Sequence, residues 1–217
     1  MKKKQALLVV NGEPQGSIEE YRAIIGQDDI TIIAVDGGLL LVESLGLFPD
    51  LLLGDFDSIP REKLEYYQAK GVEIIRYPVE KDETDAELAI NYCLSKGYRE
   101  LLLIGSMGGR LDQQLANIFL LEYAYRQGLN LVIKEPGLEL GIIKNEKIFN
   151  NCKDKYFSLI PISEEVRGVT LEGFQYNLQD AVLYRYMTRG ISNKFVDNSA
   201  RASVEKGIAL YLLQERI

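Results

Sequence analysis

Two carboxylates follow a short apolar run in the first third of the chain. Three leucines and a glycine occupy residues 51–54, and Asp55 and Asp57 come directly after them. The leucines favour a buried strand, and alternate side chains of an extended chain share a face, about 7 Å apart at the backbone. Two carboxylates at that separation suit Mg²⁺, which prefers oxygen ligands and keeps positions open for water and phosphate oxygens. An acidic turn that only ends the strand is the alternative.

A second segment, residues 105–113, reads GSMGGRLDQ. Its glycines let backbone amides approach an anion, and the helix expected after them adds a favourable dipole. Arg110 adds a forked cation that fits phosphate oxygens. The spacing matches neither the P-loop pattern nor GxGxxG, which speaks against ordinary P-loop and dinucleotide sites. Phosphate donors on one loop and metal-binding carboxylates on others are the parts of a phosphoryl-transfer site, whereas a flexible connector with a solvent-facing arginine is the alternative.

A third acidic segment, residues 81–87, reads KDETDAE and is expected to begin a helix. Thr84 and Glu87 have the spacing of a capping box. Acids in a first turn stabilise the helix dipole by about 0.3–1 kcal/mol, which would be a purely structural reason for them. The strand before this segment is expected to end near the same crevice, so Asp82 or Asp85 could instead complete the metal site of the Asp-x-Asp pair.

Alternating strands and helices must position these segments. Strands are expected at residues 6–10, 30–35, 51–53, 72–77, 101–104 and 129–134, and helices from 17, 39–45, 61–70, 84–96 and 111–127. This alternation is typical of βαβ units and of a parallel sheet covered on both faces. Ligands bind outside the carboxyl ends of such strands, so Asp36, the Asp-x-Asp pair and the 105–110 loop should surround one crevice.

The pattern changes near residue 138. Short strand-like runs follow at residues 141–143, 156–160, 166–170 and 181–186, and turn residues separate them. Such runs are typical of an antiparallel sandwich or a small barrel. We therefore expect an α/β parallel-sheet domain over residues 1–138 and an all-β, sandwich-like domain over residues 139–217.

Composition excludes several classes of site and partner. The formal charge of −7 disfavours nucleic acid, and the absence of histidine excludes Ser-His and Cys-His nucleophilic sites and histidine zinc sites. No stretch resembles a signal peptide or is long enough to span a bilayer, so we expect a soluble cytoplasmic protein without a membrane partner. Cys93 and Cys152 lack a paired spacing and are expected to be structural thiols.

Six short segments are spread over nearly the whole chain. They are residues 36–38 (DGG), 54–58 (GDFDS), 81–85 (KDETD), 108–113 (GGRLDQ), 173–178 (GFQYNL) and 191–193 (ISN). In this order they resemble the thiamine pyrophosphokinase family, and together they are far more specific than any one of them. The resemblance implies an α/β catalytic domain, a β-sandwich second domain, a homodimer with shared sites, and transfer of diphosphate from ATP to thiamine with release of AMP.

The resemblance also implies roles for individual residues. The expected catalytic residues are Asp55, Asp57 and Asp85, as magnesium ligands, and Asp112, near the reacting hydroxyl. The expected ATP and phosphate contacts are Asp36, Gly37, Lys81, Asp82, Thr84, Gly108, Gly109, Arg110 and Gln113. The expected thiamine contacts are Ser192 and Asn193, from the partner subunit, and Tyr176.

Two positions depart from the family's pattern. Gln113 stands where many bacterial members have histidine, which excludes an obligatory imidazole base there. Tyr176 stands where some relatives have tryptophan, and a buried core aromatic is the alternative to a pocket residue.

Two other functions compete with this interpretation. A metal-dependent glycosyl or nucleotidyl transferase would explain the Asp-x-Asp pair but not the second domain. A non-catalytic nucleotide or thiamine sensor would need the pocket but not five carboxylates at strand ends.

Overall fold

The structure is a computed structural model that describes residues 4–26, 30–153 and 155–215. The chain divides into two compact units, Met1–Pro136 and Gly137–Ile217. Within the described residues, no helix combines the length and the apolar character needed to cross a membrane.

The described part of the first unit is a parallel sheet whose strands alternate with helices. Its elements are β1 (Gln5–Val9), α1 (Ile18–Ile25), β2 (Thr31–Val35), α2 (Gly38–Ser44), β3 (Leu51–Gly54), α3 (Arg61–Ala69), β4 (Glu73–Arg76), α4 (Asp85–Ser95), β5 (Glu100–Ile104), α5 (Leu111–Arg126) and β6 (Asn130–Glu135). The strand order is β6-β5-β1-β2-β3-β4, and every neighbouring pair is parallel. The α/β class expected for this half of the chain is confirmed.

The order of the strands creates a switch point between β1 and β5. From β1 the chain proceeds to β2, β3 and β4 on one side, and β5 and β6 are then added on the other side. Ligands of open α/β sheets bind at such a point, outside the carboxyl ends of the strands.

Local sequence explains most of these elements. Residues 6–9 in β1 are completely buried, as expected for a parallel strand with helices on both faces. Ser17 caps α1 in a capping box, because its side chain accepts from Glu20 N while the Glu20 carboxylate accepts from Ser17 N. Thr84 Oγ1 likewise accepts from Glu87 N at 3.2 Å and so begins α4.

The second unit is built from antiparallel strands. Its elements are β7 (Leu138–Ile143), β8 (Glu146–Asn150), β9 (Lys155–Pro161), β10 (Glu165–Glu172), β11 (Leu178–Tyr184), β12 (Asn193–Lys194), β13 (Ser199–Ser203) and β14 (Ala209–Glu215). Within this unit the strand orders are β12-β9-β14-β7 and β11-β10-β13-β8. Both layers contribute to one core, which contains the aromatic side chains of Phe149, Phe157, Phe174, Phe195 and Tyr211. The expected sandwich is confirmed.

Four of the described strands of the second unit, β8, β12, β13 and β14, were not among the runs named from the sequence. In β13 the buried positions are Ala200 and Ala202, whose short side chains give little hydrophobic signal. In β14 the residues Ala209–Tyr211 are buried consecutively, which hides the alternation typical of a half-buried strand. Pairing with β7 and β9 makes β14 an inner strand.

Candidate active site

Three carboxylates come together at the carboxyl ends of β2 and β3. One side-chain oxygen from each of Asp36, Asp55 and Asp57 lies within 4.8 Å of the others. The two strands are parallel neighbours, so the residues that follow them leave the sheet at the same edge. Asp36 N also donates to Leu53 O at 2.8 Å, which joins the two strand ends. We call these three residues the acidic group.

Asp55 and Asp57 lie together for a different reason from the one expected. β3 ends at Gly54, so the pair does not belong to the extended strand. Phe56 between them has a φ of +61°, and Asp57 N donates to Asp55 Oδ1 at 3.2 Å. A turn therefore brings the two carboxylates together. The buried ring of Phe56 anchors this turn, and the Arg76 guanidinium lies over the ring, 5.5 Å from its centroid.

Asp36 is the most strained member of the acidic group. Its φ is +46°, a conformation that costs energy for a residue with a side chain. Burial, and then the nearby carboxylates, raise the pKa of Asp36, although a backbone hydrogen bond from Gly37 opposes this. Its Oδ1 is buried and accepts no hydrogen bond from any described residue. An oxygen in that position, beside two further carboxylates, suits a cation.

Lys81 and Asp85 form a second charged cluster beside the acidic group. Lys81 Nζ lies 3.0 Å from Asp85 Oδ1 and 3.3 Å from Asp55 Oδ2, and its side chain is only 11% exposed. Burial alone would lower the pKa of Lys81, but hydrogen bonds and attraction from Asp85 and Asp55 outweigh it and raise that pKa. Asp85 therefore pairs with a lysine here, and its expected role as a magnesium ligand stays a prediction. Asp82 is exposed.

A cleft of about 630 Å³ lies at the carboxyl edge of the sheet, a volume typical of small-molecule sites. Its lining residues are 10–13, 35–36, 84–86, 106, 108–110, 112–113 and 116–117. The cleft therefore gathers most residues that the sequence assigned to ATP, and Asp36 also belongs to the acidic group.

The segment after β1 is also part of this cleft, although no functional role was predicted for it from the sequence. Asn11, Gly12 and Glu13 all line the cleft. A Cβ on Gly37 would collide with the side-chain amide of Asn11, so the two loops are in close contact. The available signal was an Asn-Gly pair directly after a buried strand.

The glycine-rich loop packs against the same segment. Gly108 has a φ of +83°, and a Cβ there would lie 2.6 Å from Glu13 O, so both the conformation and the packing require glycine. At the end of the loop, Arg110 and Asp112 form a bidentate ion pair, in which Nε donates to Oδ1 at 3.1 Å and Nη2 donates to Oδ2 at 2.6 Å. The hydrogen bond from Arg110 lowers the pKa of Asp112. Both side chains are exposed, so the pair can open at low cost.

In the second unit, Asn193 is a structural residue in this conformation. It is 4% exposed, its Oδ1 accepts from Tyr176 N and Lys194 N at 3.0 and 2.9 Å, and its Nδ2 donates to Tyr176 O at 2.7 Å. Ser192, beside it, is exposed and has a φ of +58°. The alternative of a buried core aromatic at Tyr176 is wrong, because this ring is 63% exposed and Phe174 occupies the core instead.

Comparisons with known proteins cover both units. A family model described as "Thiamin pyrophosphokinase, catalytic domain" matches residues 24–133, and "Thiamin pyrophosphokinase, vitamin B1 binding domain" matches residues 141–209. Thiamine pyrophosphokinase of Bacillus subtilis is 30% identical over 199 residues, which are 91% of this chain and 89% of that protein.

Solved structures agree with these matches. The crystal structure of the Bacillus subtilis thiamine pyrophosphokinase gives a TM-score of 0.85 at 25% identity and covers 99% of this chain and 100% of its own. The thiamin pyrophosphokinase of Geobacillus thermodenitrificans gives 0.81 at 29% identity, with 97% and 98% covered. From its sequence motifs, its two folds and these matches, the chain belongs to the thiamin pyrophosphokinase family.

Proposed function

We propose that the protein transfers the diphosphate group of ATP to the hydroxyl of thiamine and releases AMP. The observation that carries this proposal is the cleft, which is lined both by Asp36 of the acidic group and by the glycine-rich loop with Arg110, in a chain of this family. A glycosyl or nucleotidyl transferase would leave the match to a vitamin B1 binding domain without explanation, and a non-catalytic sensor would leave the match to a catalytic domain without explanation.

The residues present fit Mg²⁺ as a cofactor. Asp36 Oδ1 is buried without a hydrogen bond from any described residue, and two more carboxylates lie within 4.8 Å. Asp36, Asp55 and Asp57 would hold the ion, and Asp85 becomes available if Lys81 turns to a phosphate. When bound, Mg²⁺ neutralises phosphate charge and so favours attack by an oxygen nucleophile.

The side chains in the cleft, together with Lys81 beside the acidic group, then have complementary tasks. Arg110 and Lys81 bind phosphate oxygens, and Gly108 and Gly109 let backbone amides approach them. When Arg110 turns to the phosphates, the Asp112 carboxylate is freed to orient the thiamine hydroxyl and take its proton. The thiamine oxygen forms a bond to the β-phosphorus, the bond from that phosphorus to the oxygen of the α-phosphate breaks, and AMP leaves with that oxygen. The other expected ATP contacts, Asp82, Thr84 and Gln113, remain predictions.

The reaction gives a direct prediction. Protein incubated with Mg²⁺, ATP and thiamine should form AMP and thiamine diphosphate in equal amounts, and chelation of the metal should stop the reaction. Separation of the nucleotides and thiamine esters by ion-exchange chromatography measures both. ADP together with thiamine monophosphate would instead mean attack at the γ-phosphorus and would contradict the proposal.

We further propose a homodimer in which the exposed Ser192 and Tyr176 of one subunit bind thiamine beside the acidic group of the other, while Asn193 holds the Tyr176 backbone. A direct contact from Asn193 to thiamine stays a prediction. A candidate dimer surface is an exposed apolar stripe on α5, formed by Leu111, Leu115 and Phe119 at 68%, 45% and 61% exposure. Residues four apart lie on one helix face, and such a stripe in water favours association.

Phe119→Glu should therefore convert the dimer to a monomer, because a charge buried within an apolar interface loses its hydration. Analytical ultracentrifugation at micromolar concentration measures the change. Tyr66→Glu, at a site on α3 that is 52% exposed, is the matched control and should leave the dimer intact. A dimer unaffected by Phe119→Glu would place the interface elsewhere.

We also propose that the protein acts in the cytoplasm. ATP is available there, and the free thiols of Cys93 and Cys152 suit a reducing compartment.

A further inference from the structure

A buried carboxylate supports the glycine-rich loop from inside the first unit. Glu135 ends β6 and is 2% exposed. Its Oε1 accepts hydrogen bonds from Ser106 N at 2.7 Å, Ser106 Oγ at 3.1 Å and Met107 N at 3.3 Å. Its Oε2 accepts one from the Tyr21 hydroxyl at 2.6 Å. Because β6 pairs with β5, the end of β6 lies beside the loop that follows β5.

The surroundings of Glu135 compensate for its burial. No described lysine or arginine pairs with it, and a buried charge without a partner is costly. Hydrogen bonds from backbone amides and hydroxyls to both oxygens offset that cost. Burial, followed by the hydrogen bond to Glu135, raises the pKa of Tyr21, so the phenol keeps its proton and remains a donor.

Glu135 is one of several contacts that fix the start of the loop. Ser106 O accepts from Asn117 Nδ2 at 2.9 Å, and Gly105 O accepts from Gly12 N at 2.6 Å. Residues 105–107 are thus held from the segment after β1, from α5 and from β6. Residues 108–110, which line the cleft, continue from this fixed start. Donors that are already oriented need no reorganisation when an anion binds.

We propose that Glu135 is a positioning residue for ATP, acting through Ser106 and Met107 on the loop at residues 108–110. The inference rests on the proposed function for the identity of the anion, but the loop contacts themselves do not depend on it. Glu135 does not line the cleft, so its effect reaches the phosphates only through the loop.

Two substitutions of Glu135 distinguish the effect of its hydrogen-bond acceptor from the effect of its negative charge. Glu135→Met has a similar length but accepts no strong hydrogen bond, so the Ser106 and Met107 amides lose their partner. We expect it to raise KM for ATP about tenfold or more and to leave KM for thiamine within about twofold, because a loop displaced by a fraction of an ångström binds phosphates poorly. Glu135→Gln keeps an acceptor for the loop and can donate to the Tyr21 oxygen, so it should restore most of the affinity for ATP.

Glu43→Met is the matched control within the same unit. Glu43 accepts from Tyr67 OH and pairs with Lys63, and it does not line the cleft. It should lower Tm without changing KM for ATP. A rise in KM for ATP that is no larger in Glu135→Met than in Glu43→Met would reduce Glu135 to a structural role and overturn the proposal.

Hydrogen exchange gives a test that does not need turnover. The Ser106 and Met107 amides should exchange about tenfold faster in Glu135→Met than in Glu135→Gln, while the Leu8 amide in β1 stays protected. Equal exchange in the two variants would overturn the positioning role. If the wild-type protein formed no thiamine diphosphate, the proposed function would be wrong. The exchange comparison would still show whether Glu135 holds the Ser106 and Met107 amides.

Tyr21→Phe serves if Glu135→Met does not fold. It removes the donor to Oε2 and also the acceptor of Gln15 N at 3.1 Å, while the contacts of Oε1 with the loop stay in place. We expect a smaller change in the same direction, with a rise of about threefold in KM for ATP and faster exchange at Ser106. Unchanged values of both would overturn the proposal.

Discussion

Asp57→Asn should lower turnover about a thousandfold or more at saturating Mg²⁺ while the thermal unfolding transition stays in place. The substitution removes one charge from the acidic group, whose three carboxylates lie within 4.8 Å of one another and are suited to hold the ion. Loss of several kcal/mol of charge stabilisation, at about 1.4 kcal/mol per tenfold, gives that factor. Asp57 is exposed and lies after the end of β3, so no core packing is lost. Steady-state kinetics with a magnesium titration and differential scanning calorimetry measure the two effects.

The matched control for this variant is Glu62→Gln. Glu62 is an exposed carboxylate in the first turn of α3, in the same unit, and does not line the cleft. It should turn over like the wild-type protein. Near-normal activity of Asp57→Asn would mean that the Asp-x-Asp pair is only a turn, and loss of its thermal transition would count against a purely catalytic role.

A random mixture of two inactive variants should recover about a quarter of the wild-type activity if the sites are shared between subunits. The variants are Asp57→Asn, in the first unit, and Ser192→Arg, whose exposed side chain would enter the thiamine site. In a mixed dimer both lesions fall in one site, and the other site is intact. Random mixing makes half of the dimers mixed, and each of those has one active site of two.

The exchange of subunits must be verified independently, for example by native mass spectrometry of isotopically labelled subunits. If each site were instead built from one chain, every site in the mixture would carry either Asp57→Asn or Ser192→Arg. No activity would then return, even after verified exchange. That outcome would refute the shared site while leaving the proposed reaction intact.

The sequence by itself determined the local elements and the positions of the chemical groups along the chain. Ser17 and Thr84 begin helices because a side-chain cap bonds to a backbone amide only three residues away. The apolar run at residues 51–53 forms a strand that is buried on both faces, and its composition favours this whichever strands and helices cover it. The order of the short motifs along the chain was sufficient to identify the family, because each motif can be recognised from its residues alone, without knowing which residues surround it in the fold.

Only the tertiary structure decided which of these groups meet. The position of β1 between β2 and β5 brings Asn11 to the cleft, and a turn at Phe56 assembles the acidic group. Glu135 lies 29 residues from Ser106 and 114 from Tyr21, yet it contacts both. Hydrogen bonds over such separations depend on strand order and packing of the whole sheet, and no local pattern of side chains specifies them.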